Sequence, residues 1–232
     1  TASNAVSCNE QFRTVSLDIS KKWWEIWLKN KSNKEFSTLT EQAFENLLTH
    51  ETSDHPDSKS RYAYAELLFQ TEKFEKASEQ YEEVSRQINI EKNLGHDALY
   101  GAIFSIEKQI AKKDDDLLSD KQRQLALRYV QEYKNGEHIS EIKFKIGFYQ
   151  YKQSQYEQAL TQLTELTSAQ IQPQIKTKSE DIILDIYNLK KDFPAIQNMA
   201  KKIIKTSSDE KRKVSMQKIL EEAQYSQMQL DS

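Results

Sequence analysis

The stretch from Glu141 to Thr167, EIKFKIGFYQYKQSQYEQALTQLTELT, decides the fold. Ile146, Gly147 and Gln150 share one side of a first helix, and Ala159, Leu163 and Leu166 share one side of a second. Tyr156 falls just after the turn between them. The small residues Gly147 and Ala159 sit where the two helices of a hairpin have to touch, so the pattern predicts an antiparallel helical pair.

The stretch from Arg61 to Gln87, RYAYAELLFQTEKFEKASEQYEEVSRQ, repeats the plan. Tyr64, Ala65 and Leu68 occupy one face of a first helix, Ala77, Tyr81 and Val84 one face of a second, and Phe74 follows the turn. Two copies at one spacing make an internal repeat. Phe74-Glu-Lys-Ala77 and Tyr156-Glu-Gln-Ala159 resemble the tetratricopeptide repeat (TPR), a helix-turn-helix unit of about 34 residues. Both copies lack that family's Trp near the start and its closing Pro, so the resemblance is to divergent repeats. It implies an all-α fold, a right-handed α-solenoid of stacked hairpins forming a TPR-like superhelix.

Outward from these copies the pattern loosens. Tyr100, Gly101 and Phe104 start a third copy, 36 residues after Ala65, but Gly147 then follows Gly101 by 46 residues, which predicts an insertion. Ser119 with Gln122 has capping-box spacing before Leu125, Leu127, Tyr129 and Val130, and Asn135-Gly136 ends that helix. Thr177 with Glu180 marks a fourth copy carrying Ile183, Leu184 and Tyr187, then Phe193, Ile196, Ala200 and Ile203. Ser207 with Glu210 opens a closing helix with Val214, Ile219, Leu220 and Ala223 on one side. At the amino end, Ser7 with Glu10 and Thr38 with Glu41 bracket a looser hairpin. Phe12, Val15, Ile19, Trp23 and Ile26 recur there at helical spacing, and Trp24 and Trp27 widen the face, which is expected to pack on the next helix. The expected organisation is one repeat domain over 1–232, with hairpins near 8–50, 59–88, 94–135, 140–169 and 177–205 and a capping helix near 208–228.

Composition agrees with long helices. Only 4 Gly and 3 Pro occur in 232 residues, too few turn residues for an all-β fold. The 33 basic and 36 acidic residues nearly cancel, to a net charge of −3, so no field favours nucleic acid or an anionic membrane. No run approaches the roughly 20 apolar residues of a membrane span, so no membrane insertion is expected. Cys8 is the single cysteine, which excludes an intrachain disulfide. Ala5-Val6-Ser7-Cys8 faintly resembles a lipoprotein cleavage site, although the residues before it are polar. The start at Thr1 suggests a removed signal or a segment of a longer chain, and leans towards an exported, periplasmic bacterial protein, with the cytoplasm as the alternative.

Catalytic chemistry is not expected. There is no Gly-rich phosphate loop and no strand-turn-helix context for a nucleophile. His50 and His55, beside Asp54 and Asp57, read as a solvated loop and not as metal ligands. Asp114 to Asp116 lack the spacing of a calcium loop. His96 and His138 read as surface or capping residues. The basic residues Lys201, Lys202, Lys205, Lys211, Arg212 and Lys213 have no interleaved aromatics, so they read as a solvated face and not a nucleic-acid site. No cofactor, metal or catalytic residue is assigned.

The resemblance implies a groove lined by the first helix of each repeat and occupied by a segment of another protein. Carried onto this sequence, the lining includes Tyr62, Glu66 and Phe69 from one repeat and Phe144, Phe148 and Tyr151 from another. The row of Phe144, Phe148 and Tyr151 lies on a different face from Ile146 and Gly147, so it either faces the groove or packs on an adjacent hairpin. Tyr62 and Glu66 stand where a clamp for a terminal carboxylate would need Lys and Asn. The leading expectation is a noncatalytic scaffold for protein partners. The alternative is an assembly or spacer module of a larger complex, such as one of the cell envelope, that self-associates through its Trp-rich first helix.

Overall fold

The computed structural model describes residues 2–51, 57–87, 90–113, 115–168 and 170–230, with the side chains of residues 2–9 outside that description. Among the described residues the chain is all-α, with eleven α-helices and one 3-10 turn. It divides into two compact units, Thr1–Gly136 and Glu137–Ser232.

The first unit contains α1 (Ala2–Lys29), α2 (Lys34–Leu48), α3 (Ser58–Gln70), α4 (Phe74–Arg86), α5 (Lys92–Lys112) and α6 (Asp116–Glu132). They pair as the hairpins α1/α2, α3/α4 and α5/α6, and α2 packs on α3 as α4 packs on α5. Ala65, Leu68, Ala77 and Val84 are wholly buried in the α3/α4 hairpin. Gly101 on α5 meets α4, since a Cβ there would lie 3.1 Å from the Tyr81 ring.

The second unit contains α7 (Ile139–Lys152), α8 (Tyr156–Thr164) followed by the 3-10 turn Glu165–Thr167, α9 (Pro173–Leu189), α10 (Phe193–Thr206) and α11 (Glu210–Leu230). Helix α9 is its centre and has apolar residues on two sides. Ile183 and Ile186 join Ala159, Leu163 and Leu166 of the α8 region. Leu184 instead joins Ile196, Ala200, Met216 and Leu220 of α10 and α11. Gly147 sets the approach of α7 to α8, because a Cβ there would stand 2.7 Å from Leu163 Cδ2.

Three hairpins close on one turn geometry. Glu72, Ser154 and Lys191 have φ of 61°, 58° and 55°, in the left-handed region. Each is followed by an amide that reaches back five residues: Lys73 N to Leu68 O at 2.8 Å, Gln155 N to Gln150 O at 2.8 Å and Asp192 N to Tyr187 O at 2.9 Å. This is the Schellman pattern, which satisfies the last carbonyls of a helix and usually takes Gly at the left-handed position.

Several local expectations are corrected. The caps are Asn and Asp side chains: Asn33 for α2, Asp57 for α3, Asp115 for α6 and Asp192 for α10. Asp209 does the same at the start of α11, accepting from Lys211 N at 2.9 Å and Arg212 N at 3.3 Å. Thr38 lies inside α2 and donates to Lys34 O at 2.9 Å, as a helical hydroxyl can. Ser119 and Thr177 likewise fall within α6 and α9, and Ser7 lies within α1, its side chain outside the described residues. The extra length of the third copy is not a loop insertion: α5 has 21 residues and α6 has 17, separated only by residues 113–115.

Helix α1 is also turned relative to expectation. Its packed side is Ser16, Ser20 and Trp27, whereas Phe12, Val15, Ile19 and Ile26 are exposed. Trp24 packs at 5.9 Å on Phe44, and Trp23 at 6.2 Å on Phe36. The buried Thr40 hydroxyl contacts Trp23 O at 3.1 Å and Phe36 O at 2.7 Å. Small hydroxyl residues let α2 approach, and the large Trp surfaces then bury more apolar area than the aliphatic stripe could.

In chemical denaturation, Ser154→Gly should raise the unfolding free energy by about 0.5–1 kcal/mol, because Gly adopts the left-handed turn without a Cβ penalty. Gly147→Ala should lower it by about 1–3 kcal/mol through overpacking against Leu163.

Candidate functional site

The six candidate groove residues fall into two triplets, one in each unit. In the first unit Tyr62, Glu66 and Phe69 project from α3, and all three are partly buried. Tyr62 meets the ring of Tyr81 edge-on at 5.3 Å. Tyr81, almost fully buried, donates its hydroxyl to the Glu66 carboxylate. A buried phenol without an acceptor would be costly, so Glu66 has an internal task. Phe69 lies between Phe74, at 5.2 Å, and Phe104 of α5, at 5.6 Å. Phe104 stacks in turn on Tyr100 at 6.1 Å, with Lys108 Nζ 4.9 Å from the Phe104 ring centre. The α3 triplet is thus the floor of an aromatic layer that α4 and α5 complete.

Electrostatics agree with that packing. Burial pushes the Tyr62 phenol up to about 12, with the Glu66 and Asp97 carboxylates adding to the shift. Burial and Glu66 raise Tyr81 as well. Tyr64 on the same helix donates to Glu45 of α2 at 3.1 Å, and is raised first by burial and then by that carboxylate.

In the second unit the α7 row is continuous. Phe144 stacks on Phe148 at 6.2 Å, Phe148 on Tyr151 at 6.3 Å, and Tyr151 lies 6.3 Å from Tyr156. Phe144 and Tyr151 pack partly against the α8/α9 core, and the Tyr151 hydroxyl donates to Asp185 of α9. Phe148 differs, since 43% of its surface is open to solvent. The row therefore packs at both ends on its neighbours and exposes its middle ring.

Asp185 also lies on the rim of a groove of about 420 Å³ between α9 and α11. The aromatic row and this groove meet at one carboxylate. Nothing in the sequence flagged the groove, because its walls are single residues on helices 30 to 40 residues apart, as Asp185 and Glu222 are.

Comparison with solved structures finds similar chains, among them the two that follow. The crystal structure of YrrB, described as a TPR protein with an unusual peptide-binding site, matches 86% of this chain and 99% of that one at 17% identity, with a TM-score of 0.49. The apo form of RapI matches 95% of this chain and 85% of that one at 11% identity, with a TM-score of 0.43. No protein-family model and no curated protein matches the sequence.

Several of the residues considered for other chemistry have structural partners, and others lie outside the described set. His55, Asp54 and Asp114 are outside it, as is the Cys8 side chain. Asp115 caps α6 by accepting from Leu117 N at 2.9 Å. His96 contacts the Tyr129 hydroxyl and Asp97, joining α5 to α6. Gly136 is required beside them, since a Cβ would lie 2.7 Å from Tyr129 Oη. Arg212 bridges Glu180 and Asp181, each at 2.9 Å, and Lys213 pairs with Glu210 at 2.7 Å. Among the described residues no cluster of three or more His, Cys, Asp or Glu could hold a metal, and no helix is long and apolar enough to cross a membrane.

Ultraviolet titration should find a phenol ionising near pH 12, assignable to Tyr62 by its loss in Tyr62→Phe. Glu66→Gln should lower that midpoint but leave it above the ordinary value of about 10, because burial is the first cause. A folded value raised above the unfolded one gives stability that is complete below pH 10 and lost as pH rises through 12, so unfolding should become easier over that interval.

Proposed function

We propose that the chain is a noncatalytic scaffold that binds a segment of another protein, and that the second unit receives it along α7. The observation that carries this reading is the exposed Phe148 ring, held at 6.2 and 6.3 Å from two aromatic neighbours that are themselves fixed by packing. A rigid, partly exposed aromatic offers large contact area at little entropic cost, which is the usual character of an anchor in recognition. Phe144 and Tyr151 position it, and Tyr151 is oriented further by Asp185. In the first unit, Tyr62, Glu66 and Phe69 serve the α3/α4/α5 packing and contribute to a partner surface only through their exposed edges. A periplasmic location is compatible with this reading and is not required by it.

Peptides selected from a random 12-residue display library on the intact chain test the proposal. Phe148→Ala should weaken their binding at least tenfold while leaving the thermal unfolding midpoint within about 2 °C, since the ring is not in the core. Selected peptides that bind Phe148→Ala as well as the original chain would sink the assignment.

A second reading has its own observation. Phe12, Val15, Ile19 and Ile26 are 57%, 58%, 46% and 38% exposed along one side of α1, where Phe12 also meets the His50 ring edge-on at 4.8 Å. That side suits self-association or docking in an assembly, though through aliphatic residues and Phe12, since Trp27 is buried. Light scattering should then show a dimer or higher species at high concentration, reverting to monomer in Ile19→Glu. A monomer throughout would count against this reading.

A further inference from the structure

The groove between α9 and α11 combines an apolar floor with an acidic rim. Its floor is apolar and built by packed helices: Leu184, Ile196 and Met216 belong to the core of α9, α10 and α11, and Phe193 and Ile219 pack partly against it. Its rim carries Asp181, Asp185 and Glu222, and none of its eleven lining residues is Lys, Arg or His. At about 420 Å³ it lies in the size range of preformed recognition sites, about 300–1,000 Å³.

The rim carboxylates retain capacity. Asp181 is half exposed although Arg212 contacts it at 2.9 Å from the other side. Asp185 accepts from Tyr151 and remains exposed, and Glu222 is exposed on α11. A carboxylate has about four acceptor positions, so one bound donor leaves several. A separate groove at the other end of the same helices is lined by Lys176, Lys178, Lys211 and Arg212 against Glu180 and Asp209, a net basic balance. A cationic ligand is therefore drawn to the acidic groove and turned away from its neighbour.

We infer that this groove takes an extended segment of a partner protein in which Arg or Lys residues flank a Leu- or Phe-like side chain. The apolar side chain sits on the Leu184, Phe193 and Met216 floor, and the flanking cations meet Asp185 and Glu222. Bidentate Arg-carboxylate geometry makes Arg the better of the two. Because Asp185 also receives the Tyr151 hydroxyl, the same segment continues onto the α7 row and reaches Phe148. The inference rests on the reading that α7 receives a protein segment, and it adds the chemical class of that segment.

Three dye-labelled 12-residue peptides test it by fluorescence anisotropy with the intact chain: one alternating Arg and Leu, one alternating Glu and Leu, and one alternating Arg and Ser. The Arg/Leu peptide should bind at least tenfold more tightly than either other peptide. Glu222→Lys and Asp185→Asn should each weaken it by fivefold or more, with unchanged circular dichroism. Glu10→Lys, a charge change in the other unit, should leave it unaltered, which separates groove recognition from net charge. Absent binding of the Arg/Leu peptide, or indifference to Glu222→Lys, would overturn the inference. If the Glu/Leu peptide binds equally well and loses its affinity in Phe148→Ala, the basic class is wrong while the α7 reading stands. If the Arg/Leu peptide depends on Glu222 but not on Phe148, the groove is supported and the aromatic anchor is not.

Discussion

The close approach of paired helices around a tight turn is the constraint from which the rest of each unit follows. Glu72, Ser154 and Lys191 all adopt the left-handed turn, and none is the Gly that would adopt it without strain. The back-bonds from Lys73, Gln155 and Asp192 offset that strain by satisfying terminal carbonyls. With the turn fixed, side chains at the crossing must be small, as Ala65, Ala77, Gly147 and Ala159 are. A hairpin closed in this way covers one side of each helix and leaves another side apolar. Helix α9 shows the consequence, since Ile183 and Ile186 serve the core behind it and Leu184 the core ahead.

Tyrosine-to-carboxylate bonds then fasten neighbouring helices to each other. Tyr64 of α3 reaches Glu45 of α2, Tyr81 of α4 reaches Glu66 of α3, and Tyr151 of α7 reaches Asp185 of α9. For Tyr64 and Tyr81 this lets a large ring enter a core while its hydroxyl keeps an acceptor, and Tyr151 packs partly against one. In the first unit this arrangement draws the α3 aromatics inward, because α4 and α5 both have rings to set against them. On α7 the same chemistry anchors the ends of a row and leaves Phe148 outside. Similar residues on two first helices thus have different exposure, and the cause lies in what the next helix offers.

Helical class and hairpin pairing were legible because they depend on periodicity and on small residues at fixed offsets, both written locally in the chain. Start signals were less legible. A Ser or Thr followed three residues later by Glu fits a capping box, but the same hydroxyl can bond the carbonyl four residues back, as Thr38 does. The side-chain caps found here are Asn33, Asp57, Asp115, Asp192 and Asp209, none of which completes the expected box. The face of α1 was misread because Ser16 and Ser20 look polar in sequence, whereas in the fold they are the small residues that admit α2. The candidate site was legible only in part. The α7 row follows from helical spacing, but the fate of each ring depends on contacts with α8 and α9, and the acidic groove depends on residues that come together only when α9 and α11 are packed.

The two exposed apolar surfaces differ in kind. The α1 stripe is one side of a single helix, running from Phe12, which meets the His50 ring at 4.8 Å, to Ile26, with charges of both signs nearby, including Asp18, Lys22, Glu25 and Lys29. Such a strip is complementary to another helix, which can lie along it and bury an equal strip of its own. The α9/α11 groove instead has two walls, with Asp181 and Asp185 on the α9 side and Glu222 on the α11 side over an apolar floor, and an extended chain can lie between such walls. They lie in different compact units and share no residue.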